Sequence, residues 1–197
     1  MLSSAPLSSN IYNNLPQAND QTPPEQRILQ SVGELFIKHN VHGSFGVALL
    51  HKHFDMAEHE IMVHKGLICS PEITTASANE DLSGRSFFLS DGRFQAYEYQ
   101  DGSAQGDDLP PAFLDALRAH LVRNELSQIL ALTRIVAHAP PLMEHCGAGR
   151  THVCDVAEQT ILPAEATEWK FDVRDGSSAV FVMRACKRDR KGNHKNS

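Results

Sequence analysis

Apolar positions change period along this chain, and each change marks an element. Residues 1 to about 21 carry Ser, Asn, Pro and Gln without apolar period, so they read as a disordered leader. Order opens at Thr22-Pro-Pro-Glu25, where Thr followed three residues later by Glu forms a capping box. Pro suits a first helical turn, because its missing N–H would go unpaired there anyway. Ile28, Leu29, Val32, Leu35 and Phe36 then recur at helical spacing, and the helix should stop near His39-Asn40. From Ser44 the period is two. Phe45, Val47, Leu49, His51 and His53 share one face of a strand, and Gly46, Ala48, Leu50, Lys52 and Phe54 share the other. Asp55 to Ala57 turns the chain into a second strand, Glu60 to His64.

Residues 65 to 84 read as irregular. Ser86–Ser90 and Arg93–Tyr99 flank Asp91-Gly92, which supplies the positive φ angles of a two-residue hairpin turn. A second helix opens at Leu109-Pro-Pro, with Phe113, Leu114, Leu117 and Leu121 on one stripe, and ends at Asn124. Gln128 to Val136 either extends that helix or forms a strand, the preferred reading. Leu142–Cys146 and Thr151–Val156 are strands around Gly147-Ala-Gly149, and Glu168–Val173 pairs with Ala179–Ala185 around Asp175-Gly176. Two helices and about eight strands predict an α+β fold, mostly antiparallel sheet built from hairpins. It forms one domain over residues 22–186, between the leader 1–21 and a basic flexible tail 187–197.

Composition narrows the function classes. A hydrophobic share of 41% over 197 residues is enough for a core without disulfide or metal staples. A net charge of −6 argues against nucleic acid as a partner, because neutralising phosphates needs a cationic face. Six of the 18 basic residues fall between Arg184 and Lys195; such a tail serves as a nuclear address or, more ordinarily, is simply solvated. The first residues lack the cationic start and apolar run of a signal peptide, and apolar stretches of about six residues fall short of the roughly 20 that span a bilayer. No membrane is expected. The expected compartment is the cytoplasm, or the nucleus through the tail, where Cys69, Cys146, Cys154 and Cys186 stay mostly reduced.

The chemistry concentrates in histidine. Of eleven histidines, His51, His53, His59 and His64 lie within one short segment. His51 and His53, two positions apart on a strand, project from one face about 7 Å apart at the backbone and can converge on one divalent ion, zinc or iron. Glu60 from the next strand completes a two-histidine, one-carboxylate set if it pairs opposite His53. A one-residue slip turns it away and brings His59 round instead. Glu58 or His64 would then move protons. A second cluster, Glu144-His145-Cys146 with His152-Val-Cys154, could bind zinc if Cys146 and Cys154 face each other across a hairpin, and Cys186 with His194 adds a third pair. Free cysteine is also an ordinary small core residue.

Two resemblances bear on this segment. Gly46, His51, His53, Glu58 or Glu60, and Gly66 resemble the first half of the cupin metal motif, although the spacing departs from it at the Glu and both glycines, and no second half follows. Gly46-Val-Ala-Leu-Leu-His51-Lys-His53-Phe54, Glu60-Ile-Met-Val63, Thr167-Glu-Trp169 and the Cys186 to His194 segment resemble a group of small uncharacterised proteins of filamentous fungi. That resemblance implies a fungal origin, gives His51, His53 and Glu60 the leading positions, and suggests specialised metabolism; it carries no activity across. Two functions are therefore expected to compete. One is a metal-binding protein acting on a small organic metabolite. The other is a small-ligand-binding or pathway accessory protein without metal, in which the two imidazoles only hydrogen-bond. A cysteine nucleophile beside a histidine base has no specific signal, and no phosphate loop, Gly-x-Ser-x-Gly elbow or His-Glu-x-x-His helix is present.

Overall fold

Eleven strands and three helices are formed by the described residues. The structure, a computed structural model, describes residues 2–17, 20–74, 82–102, 109–136, 139–147, 150–158, 161 and 165–186. In chain order the elements are β1 (Leu2–Ser3), α1 (Ser9–Asn13), α2 (Gln26–Lys38), β2 (Phe45–Leu49), β3 (Glu60–Lys65), β4 (Ile68–Ile73), β5 (Leu82–Ser90) and β6 (Arg93–Asp101). They continue with α3 (Pro111–Arg123), β7 (Leu130–Arg134), β8 (Leu142–Gly147), β9 (Thr151–Val156), β10 (Ala166–Arg174) and β11 (Ser177–Cys186). No helix among the described residues is long and apolar enough to cross a membrane.

The sheet closes. Its order β6-β3-β4-β9-β8-β11-β10-β2-β7-β5 returns to β6 through the β5–β6 hairpin, giving a ten-strand barrel with β1 laid on the outside of the order. The α+β class holds, with 46% strand and 21% helix, but the expected sheet of hairpins is corrected to a closed barrel of mixed orientation. The hairpins are real: Asp91 (φ 47°) with Gly92 (φ 73°), and Asp175 (φ 52°) with Gly176 (φ 75°), make the two-residue turns read from the sequence. What the local pattern could not show are the parallel pairs β3–β6 and β8–β11, which join strands far apart in the chain.

Three further expectations change. The leader is ordered from Leu2 to Gln17: β1 pairs with Phe94 and Gln95 of β6, and α1 buries Tyr12 against Leu50, Met62 and Tyr97. Its apolar residues are too few for a period, yet they fill one end of the barrel. Residues 65–84 contain a strand, β4, despite Pro71. Among the described residues, β9 meets β4 only at Ile68 and Cys69, so no described strand lies beside Pro71 on that side to need its missing N–H. Helix α2 begins at Gln26 with Glu25 as its cap residue and no side-chain capping bond, because Pro23-Pro24 keeps the preceding chain extended. The basic tail 187–197 lies outside the described residues, although Arg184 belongs to β11.

The two faces of the barrel differ in chemistry. Leu29, Val32 and Phe36 of α2 and Phe113, Leu117 and Leu121 of α3 pack with Phe45, Val47, Leu49, Phe87, Leu132, Trp169 and Phe171 in one apolar cluster. Helix α2 sits close on β10 and β11 at Gly33, where a Cβ would come within 2.6 Å of the Phe171 ring. The other face carries the polar side chains, and strand register takes them around the barrel. Ser86 pairs with Glu98 and Thr133, Ala48 with Ala131 and Glu168, and Glu168 with Arg184. Cys186 pairs with Glu144, Glu144 with Cys154, Cys69 with His152 and His64, and Met62 with Glu98. Cross-strand partners share a face, so this ring lines the lumen. The Arg85–Glu168 ion pair, 3.1 Å, joins strands that are not neighbours in the sheet and so spans that lumen.

Candidate metal centre

β2 ends at Leu49, so His51 and His53 do not stand on a strand as the alternation predicts. Pairing passes instead from β7 to the N-terminal segment: Leu50 N–H still bonds the Ile129 carbonyl at 2.8 Å, but Lys52 N–H bonds the Pro16 carbonyl at 2.9 Å. The Lys52 ammonium binds the Asn13 carbonyl and Asp55, and the Asn13 side chain exchanges two hydrogen bonds with the Met56 backbone, 2.9 and 2.7 Å. Held this way, the two imidazoles converge after all. Their ring centroids lie 4.6 Å apart at 70°.

They meet Glu144 of β8 and Cys186, the last residue of β11. One donor atom from each of His51, His53, Glu144 and Cys186 lies within 4.8 Å of the others, so this buried group could hold a metal ion. Cys186 Sγ is 3.2 Å from Glu144 Oε2 and 3.6 Å from His51 Nε2, and His53 Nε2 is 3.7 Å from Glu144 Oε2. Bond lengths of about 2.0–2.3 Å to one tetrahedral ion would give donor–donor edges of about 3.3–3.6 Å. The three spacings fit that figure to within a few tenths of an ångström.

Neighbouring groups orient these donors. His51 Nδ1 bonds the Leu49 carbonyl at 2.7 Å. A carbonyl only accepts, so Nδ1 carries the hydrogen and Nε2 presents its lone pair to the cluster. Arg184 Nη1 donates to Glu144 Oε1 at 3.3 Å, on the oxygen that does not face Cys186 and His53. Burial works to raise the Glu144 pKa, but Arg184, His152, His51 and the Cys186 thiol outweigh it and bring it to about 2. The carboxylate is therefore charged. Burial first, and Glu144 second, push the Cys186 thiol well up, so it is a neutral donor until something displaces its proton. Glu144 is 2% exposed, Cys186 0% and His51 7%, so the group is shielded from water.

The lumen around it is charged. Glu98, Glu144 and Glu168 face Arg85 and Arg184, three carboxylates against two guanidiniums among the described residues. Burial lowers the His64 pKa, with Arg85 adding to the effect, so it stands neutral at pH 7 and meets Glu98 at 3.3 Å. Glu98 resists the upward push of burial through His64, His53 and Ser86, which hold it well below the usual carboxylate range. His152 lies between His53, whose ring is tilted at 48° with centroids 3.4 Å apart, and Phe54, which stacks on it at 5.4 Å.

The residues expected from the sequence divide. His51 and His53 come together. Glu60 does not join them: its carboxylate forms a two-pronged pair with Arg150, 2.6 and 2.7 Å, and accepts from Ala57 N–H. Arg150 is what draws it away, and holds its pKa down. Glu58, expected to move protons, is an exposed side chain 3.6 Å from His59. It lines a groove of about 570 Å³ between the N-terminal segment and the chain around Met56. His64, the other expected proton carrier, lies in the lumen bound to Glu98, outside the four-donor group. Register pairs Glu144 with Cys154 and Cys146 with His152, so Cys146 and Cys154 are not opposite each other in the hairpin. His194 lies outside the described residues. Glu144 and Cys186 were visible as members of the second and third sequence clusters. Nothing local joins those clusters to His51; barrel closure does.

Fold and site together define a closed mixed barrel with a buried His-His-Glu-Cys group able to take a metal ion. Set against family models, curated proteins and solved structures, the chain matches none of them.

Proposed function

We propose that this protein binds one divalent metal ion in its barrel, through His51, His53, Glu144 and Cys186. The observation that carries the reading is the convergence of four donors within 4.8 Å, with three of their six spacings, 3.2, 3.6 and 3.7 Å, close to the edge length of a tetrahedral site. One thiolate, two imidazoles and one carboxylate in that geometry favour zinc over iron. Charge points the same way. The lumen carries one carboxylate in excess, and a divalent ion with the Cys186 thiolate adds one positive charge, which neutralises it. Zinc binding to metal-stripped protein, followed by equilibrium dialysis, should give one ion per chain in the wild type and none in His51→Ala or Cys186→Ser. Equal uptake by all three proteins would remove the reading.

Action on an organic metabolite, in fungal specialised metabolism as the sequence resemblance suggests, would need a place for the substrate, and the groove lined by Leu7, Met56, Glu58 and His59 offers one on the surface. At about 570 Å³ that groove has the size of a small-molecule site. The same groove favours the second reading, a small-ligand carrier that needs no metal. Ligand binding undiminished in His51→Ala would support the carrier.

A further inference from the structure

We propose that Asn13 and Lys52 are positioning residues of the metal centre, and that docking of the N-terminal segment and capture of the ion are one coupled event. The inference rests on the metal reading above. The four donors fall into two halves that are held in different ways. Glu144 and Cys186 sit opposite each other in the β8–β11 ladder, so sheet register fixes them. His51 and His53 lie beyond the end of β2, and residues 12–17 with Gln21 hold their stretch of backbone instead.

The contacts centre on the residue between the two histidines. Lys52 forms an isolated parallel bridge with Gln17, its N–H donates to the Pro16 carbonyl at 2.9 Å, and its ammonium donates to the Asn13 carbonyl. To either side, Gln21 Nε2 donates to the Leu50 carbonyl at 2.7 Å, and His53 N–H donates to the Tyr12 hydroxyl at 3.4 Å. The Asn13 side chain takes both backbone polar groups of Met56. Tyr12 and Leu15 pack in one apolar cluster with Leu50 and Met56, the residues that bracket the histidine pair. None of these contacts uses an imidazole nitrogen. The segment therefore acts on the ion through the path of the histidine backbone. An ion that joins the two halves favours the docked segment, and the coupling is reciprocal: the factor by which undocking weakens zinc is the factor by which zinc tightens docking.

Zinc affinity of the full chain, read by competition with a chromophoric chelator, tests one direction. Asn13→Ala and Lys52→Met should weaken zinc by roughly 10–100-fold, the usual range for groups that orient metal ligands, and still take one ion per chain at saturation. Lys52→Arg, which keeps a cation for the Asn13 carbonyl and Asp55, should restore most of the affinity. Amide hydrogen exchange in the wild type tests the other direction and needs no variant to fold. Zinc should slow exchange at the Leu15 and Lys52 amides by a factor of the same order, and leave the Asp91-Gly92 turn unchanged. Wild-type affinity in both Asn13→Ala and Lys52→Met, or exchange at Lys52 that zinc loading does not alter, would overturn the inference while leaving the metal reading intact. A wild type that takes up no zinc would remove the metal reading itself, and this inference with it.

Discussion

The outer and inner faces of the same strands carry opposite chemistry. On β2, Phe45, Val47 and Leu49 pack outward with α2 and α3, while Ala48 turns inward beside Glu168. The outer cluster is apolar throughout, and burying each large side chain there stabilises the fold by about 1.5–3 kcal/mol. The lumen is lined by Glu98, Glu144, Glu168, Arg85, Arg184 and three imidazoles, His51, His64 and His152. Buried ion pairs barely recover their desolvation cost, and apolar residues of similar volume often do better. The outer face accounts for the fold. The inner face adds the apolar cluster of Leu50, Met62 and Tyr97 with Tyr12, and its charged part contributes little to stability by comparison.

The comparison can be broken most forcefully from the outside. Phe36 is fully buried between the Phe113 and Phe171 rings, at 5.0 and 4.9 Å between centroids. Phe36→Ala should cost about 3–5 kcal/mol in a denaturant titration, yet leave zinc stoichiometry unchanged in the folded fraction. A matching loss of zinc would mean that the two faces are not separable. The next effect comes from inside. Zinc at 100 times its dissociation constant should stabilise the wild type by about 2.7 kcal/mol, since it binds the folded chain preferentially. His53→Ala should abolish that shift in unfolding midpoint. A midpoint insensitive to zinc in the wild type would leave the lumen without its proposed purpose.

The outer face was largely legible in the sequence. The stripes Leu29, Val32, Phe36 and Phe113, Leu117, Leu121 name their own buried sides, and Asp91-Gly92 and Asp175-Gly176 dictate their turns through backbone sterics. Local rules suffice there because each element buries its own stripe. The lumen follows long-range register. Glu144 meets Cys186 only because β8 runs parallel to β11, and both meet His51 only because the ten strands close. That His51 and His53 come together was anticipated from their spacing, although the strand meant to align them ends at Leu49. Their carboxylate was assigned to the following strand, at Glu60, when the barrel brings one more than 80 residues away.

A smaller effect separates the faces by pH. Burial holds the His64 pKa down, with Arg85, Glu98 and Arg184 as its charged neighbours. Its unfolded value is about 6.5, so the unfolded chain takes up a proton there before the folded one does. Stability is therefore complete above about pH 6.5 and declines as pH falls below it. A second decline begins near the unfolded carboxylate value of about 4.3, as Glu144, held to about 2, and Glu98, held lower still, lose their advantage. Unfolding midpoints measured from pH 8 to pH 3 should fall in these two stages, and His64→Gln should remove the first. A midpoint flat to pH 5 in the wild type would contradict the placement of His64.

The smallest effect tests the rim against the lumen. Glu60 and Arg150 tie the start of β3 to the turn before β9, with Arg150 about half exposed and the carboxylate more sheltered. Exposed pairs contribute about 0–1 kcal/mol, so Glu60→Gln should move stability by no more than that. Were Glu60 an ion ligand, the same change would lose the metal outright, as Glu144→Gln should. Parallel zinc titrations of the two variants decide between a carboxylate chosen by sequence proximity and one chosen by the closed sheet. Full zinc binding in Glu60→Gln with none in Glu144→Gln is the result the barrel requires; the reverse would mean that the segment carrying His53 folds back onto Glu60 when the ion arrives.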